Sequence, residues 1–238
     1  LTLAVVTALT PSSTTLAEYG LHLLSAFGRK SGLRVVALVE DADLAYPTIP
    51  GVEIRRAWRF DAIDNPIQIA REARRAGADV VLFNAHFTSF GSSKVGAAMG
   101  LTAPLATRLA GVPVITLLHN IVETVDLGAA GFGSSRLVES VLRGIGTALT
   151  WVVLRSNVVT TTMPGYVEIL RAKYGAKHVA LTPHGAFEVP APPQAPPARP
   201  TVMTFGKFGT YKKVEGLIEA VRRLGRGEPR LRPSGHRR

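Results

Sequence analysis

"LTLAVVTALTPSSTTLAEYGLHLLSAFGRK", Leu1 to Lys30, contains in one stretch the pattern that the rest of the chain repeats. Its first nine residues form an apolar, β-rich run. Pro11 and a series of Ser and Thr interrupt it, and Leu16, Tyr19, Leu23 and Phe27 then recur at helical spacing. A strand that is apolar on both faces, leading through a polar turn into an amphipathic helix, is the first half of a βαβ unit. Such strands belong in a parallel sheet covered by helices on both sides. The run has no basic residues ahead of it and meets Pro11 early, so it reads as a first buried strand rather than a signal peptide.

The alternation continues outward. "LRVVALVE" (Leu33–Glu40) is strand-like, and "NPIQIAREARRAG" (Asn65–Gly77) is helical and stops at a glycine. "ADVVLFNAH" (Ala78–His86) and "VPVITLLHN" (Val112–Asn120) are buried strands, with the helical "GLTAPLATRLAG" (Gly100–Gly111) between them. "LVESVLRGIGTALTWVVLRSN" (Leu137–Asn157) is apolar, but Arg143, Gly144, Gly146 and Arg155 interrupt it, so it reads as a core helix rather than a membrane span. A strand and helix follow in "VVTTTMPGYVEILRAKYG" (Val158–Gly175), and a strand in "HVALTPHG" (His178–Gly185).

The fold class is therefore α/β, with a parallel-sheet domain over residues 1–188. "EVPAPPQAPPARP" follows, and its proline density suits an interdomain connection over residues 189–200. A second strand, turn and helix begin at Thr201 and run to Leu224. The basic residues 225–238 are expected to be disordered.

Composition narrows the function classes. The chain has 238 residues and 46% hydrophobic content, enough for a packed core. It has no cysteine, so disulfides and thiolate chemistry are excluded. The net charge of +11 suggests anionic partners, yet Arg226, Arg230, Arg232, Arg237 and Arg238 crowd into the last residues, and nucleic acid is set aside on that ground.

Parallel α/β sheets bind ligands outside the carboxyl ends of their strands, so the residues after each strand are the candidates. After the first strand stand Thr7, Thr10, Ser12, Ser13, Thr14 and Thr15, ahead of a helix. They read either as a phosphate-facing loop at a helix N-terminus or as an ordinary capping cluster. His119 ends a central strand, where its imidazole reads either as a donor to a sugar hydroxyl or phosphate oxygen or as a strand cap. Asn84 and His86 end another strand with a weaker signal. The histidines lack a third ligand at metal spacing, so no metal is assigned. In "TFGKFGTYKKVEGLIEAV" (Thr204–Val221), Gly206 and Gly209 permit a tight turn from which Lys207 and Lys212 reach a diphosphate, or else project as a solvated basic loop.

Taken in order, these stretches resemble the family 4 glycosyltransferases. "TFGKFGTYKKVEGLIEAV" resembles the start of that family's donor domain, "TPHGAFE" the close of its first domain, "LLHN" its strand-end histidine, and "TPSSTTLAEYGLHLLSAF" its first loop and helix. The matches span Thr7 to Val221. The resemblance implies a GT-B fold, a complete N-terminal Rossmann-like domain followed by the first βα unit of a second one. It also implies transfer from a nucleoside diphosphate sugar with retention, without cofactor or metal, to an unknown glycan or lipid-linked acceptor.

Under the resemblance His119 is catalytic, touching donor sugar or acceptor. Gly206, Lys207 and Lys212 hold the donor diphosphate, and Ser12, Ser13 and Thr14 form the acceptor or phosphate loop. A cytoplasmic location is expected, with peripheral membrane contact left open. Lys207 stands where the family has arginine, Ser12 and Ser13 stand where it has glycines, and His184 stands where it has asparagine. The family's two donor-domain glutamates have no counterpart before the chain ends. The expectation is thus a donor domain cut short and an inactive chain. Two other readings stay open: a non-catalytic module that binds a glycan or lipid-linked acceptor, and another nucleotide-sugar enzyme of GT-B shape.

Overall fold

The computed structural model describes residues 1–14, 16–121, 123, 136–185, 202, 204 and 214–225. Seven strands form one sheet: β1 (Thr2–Val6), β2 (Arg34–Glu40), β3 (Val52–Trp58), β4 (Val80–Ala85), β5 (Val114–Leu118), β6 (Val158–Thr161) and β7 (Val179–Leu181). Their spatial order is β3-β2-β1-β4-β5-β6-β7, and every pairing is parallel. Order 3-2-1-4-5-6 is that of a Rossmann-like sheet, and its direction of winding reverses between β1 and β4.

The apolar strands owe their position to being buried on both faces. In β1, Ala4 and Val6 pack with Leu38, Trp58, Ile69, Phe83 and Ala103. That layer is covered by α2 (Asn65–Arg75) and α4 (Ala103–Leu109). Leu3 and Val5 point the other way, into a layer with Leu24 of α1 (Ala17–Gly28), Val35, Val39 and Leu82. The alternation within one strand is the period of two that pleating imposes. A third cluster joins Leu118, Val159 and Val179 to Val153 of α5 (Arg136–Val153) and to Leu170 and Tyr174 of α6 (Pro164–Tyr174).

α1 lies close against the end of β1 because Gly20 has no side chain. A Cβ at Gly20 would stand 2.3 Å from the Ala8 carbonyl oxygen and 2.4 Å from Thr7 Oγ1. One of those neighbours is backbone, so the helix itself has to shift. Gly20→Ala is expected to lower stability by about 2–3 kcal/mol, the cost of overpacking a fixed contact. Urea denaturation measures it, and an unchanged midpoint would show that the approach is not tight.

Two elements go beyond the sequence expectations. β3 carries Glu53, Arg55 and Arg56 and is an edge strand, so its outer residues meet water and its apolar signal is diluted. The short helix α3 (Lys94–Gly100) was not read from the sequence; the stretch Gly100–Gly111 read as helical holds α4, entered through a turn at Leu101–Thr102. Among the described residues no helix is long and apolar enough to cross a membrane. α5 buries one face only, and Val141, Ile145 and Trp151 are exposed. The helix α7 (Val214–Gly225) carries Ile218, Val221 and Leu224, which are also exposed. The proline-rich stretch 189–200, the glycine–lysine turn with Gly206, Lys207 and Lys212, and residues 226–238 lie outside the described residues.

Candidate functional site

The carboxyl ends of β1, β4 and β5 carry the candidate residues on a common edge of the sheet, as parallel pairing requires. His119 follows β5 directly. Its backbone N–H donates to the Ala85 carbonyl at 3.0 Å and so extends the β4–β5 ladder by one rung. The next residue, Asn120, accepts from the backbone N–H of Phe87 at 3.2 Å through Oδ1 and ties down the loop after β4. The histidine thus sits on a rigid strand end rather than on a loop.

The His119 ring joins a polar chain running back to β1. His119 Nε2 lies 2.6 Å from Asn84 Oδ1. Asn84 Nδ2 donates to Thr7 Oγ1 at 3.0 Å, and Thr7 Oγ1 donates to the Ala8 carbonyl at 2.8 Å. Asn84 and Thr7 are both about 2% exposed, so these bonds are shielded from competing water. His119 Nδ1 is buried and has no hydrogen-bond partner among the described residues.

Two rings pack on the imidazole. Tyr19 of α1 meets it edge-on with centroids 4.8 Å apart, and His184, in the coil after β7, stacks on it at 5.2 Å. Burial lowers the His119 pKa to about 4, and the neighbouring His184 and His86 push the same way. The ring is therefore neutral at physiological pH. His86 is also held below its ordinary value by burial, and its Nδ1 accepts from the Thr88 backbone N–H at 3.3 Å.

The second half of the β1–α1 loop faces elsewhere. Ser12 Oγ lies 2.7 Å from Thr14 Oγ1, and both hydroxyls reach Glu40 Oε2, at 3.3 and 3.5 Å. Glu40 is the last residue of β2 and is largely buried. No side chain caps α1: the position before it is Leu16 in a left-handed conformation, with φ 73°. Ser12, Ser13 and Thr14, with Glu40, Asp43 and the exposed ring of Phe60, border a cleft of about 660 Å³. No lysine or arginine is among the described residues lining it. Two carboxylates without a cation disfavour a phosphate here. Hydroxyls, carboxylates and an open aromatic face suit an uncharged polyhydroxyl group, which can donate to the carboxylates and lay a C–H face on the ring.

The loop is thus split. Thr7 belongs with Asn84 and His119, while Ser12, Ser13 and Thr14 belong with Glu40. His119 is not among the residues lining the Glu40 cleft. Gly206, Lys207 and Lys212 fall outside the described residues. Sequence reading did not select Glu40, Phe60 or Tyr19 as site residues. For Glu40 a signal was available: a charged residue closing a fully apolar strand at the ligand edge. Phe60 and Tyr19 carry no such mark, because an aromatic after a strand or on a helix face is ordinarily core.

No protein-family model and no curated protein matches the sequence. Among solved structures, the chain is similar to UGT2 of Phytolacca americana complexed with UDP-2-fluoro-glucose and pterostilbene. The identity is 10% and the TM-score 0.46, over 78% of this chain and 52% of that one. It is similar to a UGT transferase from Siraitia grosvenorii in complex with UDP, with 9% identity and a TM-score of 0.48 over 77% and 50% of the two chains. It is also similar to the Bordetella bronchiseptica enzyme WbmH in complex with NAD+, with 10% identity and a TM-score of 0.39 over 74% and 63%. The chain spans about half the length of the first two structures.

Proposed function

We propose that this chain is the acceptor-side part of a GT-B glycosyltransferase of the family 4 type, which moves a sugar with retention from a nucleoside diphosphate sugar to a hydroxyl-bearing acceptor. The observation that carries the reading is the cleft at the carboxyl ends of β1 and β2, which has no lysine or arginine among the described residues lining it. Ser12, Thr14, Glu40 and Phe60 there offer partners for an uncharged polyol, while Glu40 and Asp43 repel a phosphate. The order of motifs along the chain supplies the family.

In this reading residues 1–188 form the acceptor-side domain, residues 189–200 connect, and residues 201–224 begin the donor side. Lys207 and Lys212, in the glycine–lysine stretch with Gly206, neutralise the diphosphate as it departs. Positive charge placed where negative charge develops stabilises the transition state, and it does so without a metal. Lys207 does this as a point charge, without the bidentate fork of an arginine. His119, neutral and rigidly mounted, borders the reacting groups. The Glu40 cleft holds the acceptor by hydrogen bonds and by the Phe60 face, and leaves charge neutralisation to the lysines.

The full-length gene product that contains this chain tests the proposal, assayed against a panel of nucleoside diphosphate sugars with neutral oligosaccharide and lipid-linked acceptors. Transfer from at least one donor, with release of the nucleoside diphosphate and the donor's anomeric configuration kept in the product, is the expected result. No transfer with any donor removes the proposal, and an inverted product removes its family assignment.

A further inference from the structure

We propose that Asn84 and Thr7 are positioning residues that hold His119 as the Nε2–H tautomer, so that its other ring nitrogen, Nδ1, is a hydrogen-bond acceptor and the ring has no donor left for a ligand. One end of this relay has no freedom. The Ala8 carbonyl can only accept, so the Thr7 hydroxyl, 2.8 Å away, gives it its hydrogen. Thr7 Oγ1 is then left with lone pairs toward Asn84, and the group that meets them at 3.0 Å is the amide nitrogen. That choice turns Asn84 Oδ1 toward His119. An amide oxygen cannot donate, so His119 Nε2, 2.6 Å away, carries the hydrogen.

A neutral imidazole has one N–H, and this one is spent inside the protein. Nδ1 keeps its lone pair and has no hydrogen-bond partner among the described residues. The groups packed on the ring are Tyr19 on α1 and His184 after β7, with His86 nearby at the end of β4. Tyr19 and His184 touch it ring to ring. An anion has nothing to accept from His119 in this state. A hydroxyl or N–H group of a ligand can donate to Nδ1, once His184, the exposed ring of the pair, gives way. The tautomer does not depend on the transferase reading. That the group meeting Nδ1 is an acceptor hydroxyl rests on it.

The relay also explains why Gly20 stands where it does: a Cβ there would strike Thr7 Oγ1 and the Ala8 oxygen, the first two members of the chain. Thr7, Asn84 and His119 stand at the carboxyl ends of β1, β4 and β5, which are neighbours in the sheet.

Long-range proton–nitrogen correlation spectra of the nitrogen-15-labelled chain near neutral pH read the tautomer directly. A protonated and a bare imidazole nitrogen resonate in separate ranges. His119 is expected to show Nε2 protonated and Nδ1 bare. Thr7→Ser keeps that pattern, because it preserves the acceptor facing Asn84. Thr7→Val removes both the hydrogen for Ala8 and the acceptor for Asn84, frees the amide to turn, and brings in the Nδ1–H form. Wild-type His119 with Nδ1 protonated, or an even mixture, overturns the proposal. So does Thr7→Val with an unchanged pattern. If Thr7→Val does not fold, the wild-type and Thr7→Ser spectra still decide. A protein with the expected tautomer that transfers no sugar leaves the relay standing and removes only the transferase reading.

Discussion

Trp58→Ala is expected to lower the free energy of unfolding by about 3–5 kcal/mol, the range for removing a large buried aromatic. Trp58 closes β3 and is 2% exposed. Its indole meets Phe90 edge-on with centroids 5.2 Å apart, and its Nε1–H donates to the Leu38 carbonyl at 3.1 Å. The Leu38 oxygen also accepts from the Thr7 N–H at 3.2 Å, so it keeps a partner when the indole goes. The loss is therefore mostly cavity. Trp58→Phe, which keeps most of the volume, is expected to cost far less, about 1–2 kcal/mol. Denaturant unfolding of the two variants separates these terms, and equal losses would show that the hydrogen bond dominates. The cleft is expected to suffer too, because β3 hands on directly to Phe60.

Acid is expected to destabilise the fold between pH 6.5 and 4, with His119 a main cause. Its pKa falls from the ordinary 6.5 to about 4 in the folded protein, first through burial and then through His184 and His86. Above pH 6.5 both the folded and the unfolded states carry it neutral. As pH falls through 6.5 the unfolded chain takes up the proton first, so the unfolded state is favoured progressively until the folded protein also protonates near pH 4. Stability thus rises with pH across this window, by about 2–3 kcal/mol after allowing for the partly open edge of the ring. His86, lowered by burial, acts in the same direction. His119→Leu is expected to flatten the stability–pH curve over the window while leaving the residual His86 slope. A slope unaltered by that change would place the acid sensitivity elsewhere.

Much of the sheet was legible from sequence because β1, β2, β4 and β5 are buried on both faces, and nothing dilutes their apolar signal. β3 escaped notice because it lies at an edge, where Glu53 salt-bridges Arg34 at 2.7 Å and Arg55 at 2.6 Å. Charges that an edge strand needs are the ones that hide it. His119 was legible from its place after a buried strand, since the parallel topology sends every strand end to one edge. Its partners were less so. Asn84 is a polar residue two positions before His86, and only the register between β4 and β5 shows that it faces the His119 ring. The Ser and Thr run after β1 could be assigned to a loop but not to a ligand. Ser12 and Thr14 turn toward Glu40, twenty-six or more residues away, and a carboxylate beside the hydroxyls disfavours a phosphate there.

Steady-state kinetics of Glu40→Gln in the full-length gene product test the central claim, that the β1–β2 cleft holds the acceptor. The amide keeps the shape and the bonds from Ser12 and Thr14 but loses the charge, and hydrogen bonds to a charged group are worth about 1.5–3 kcal/mol. The acceptor KM is expected to rise about tenfold or more with the donor KM unchanged. A rise in the donor KM alone, or no change in either, would contradict it.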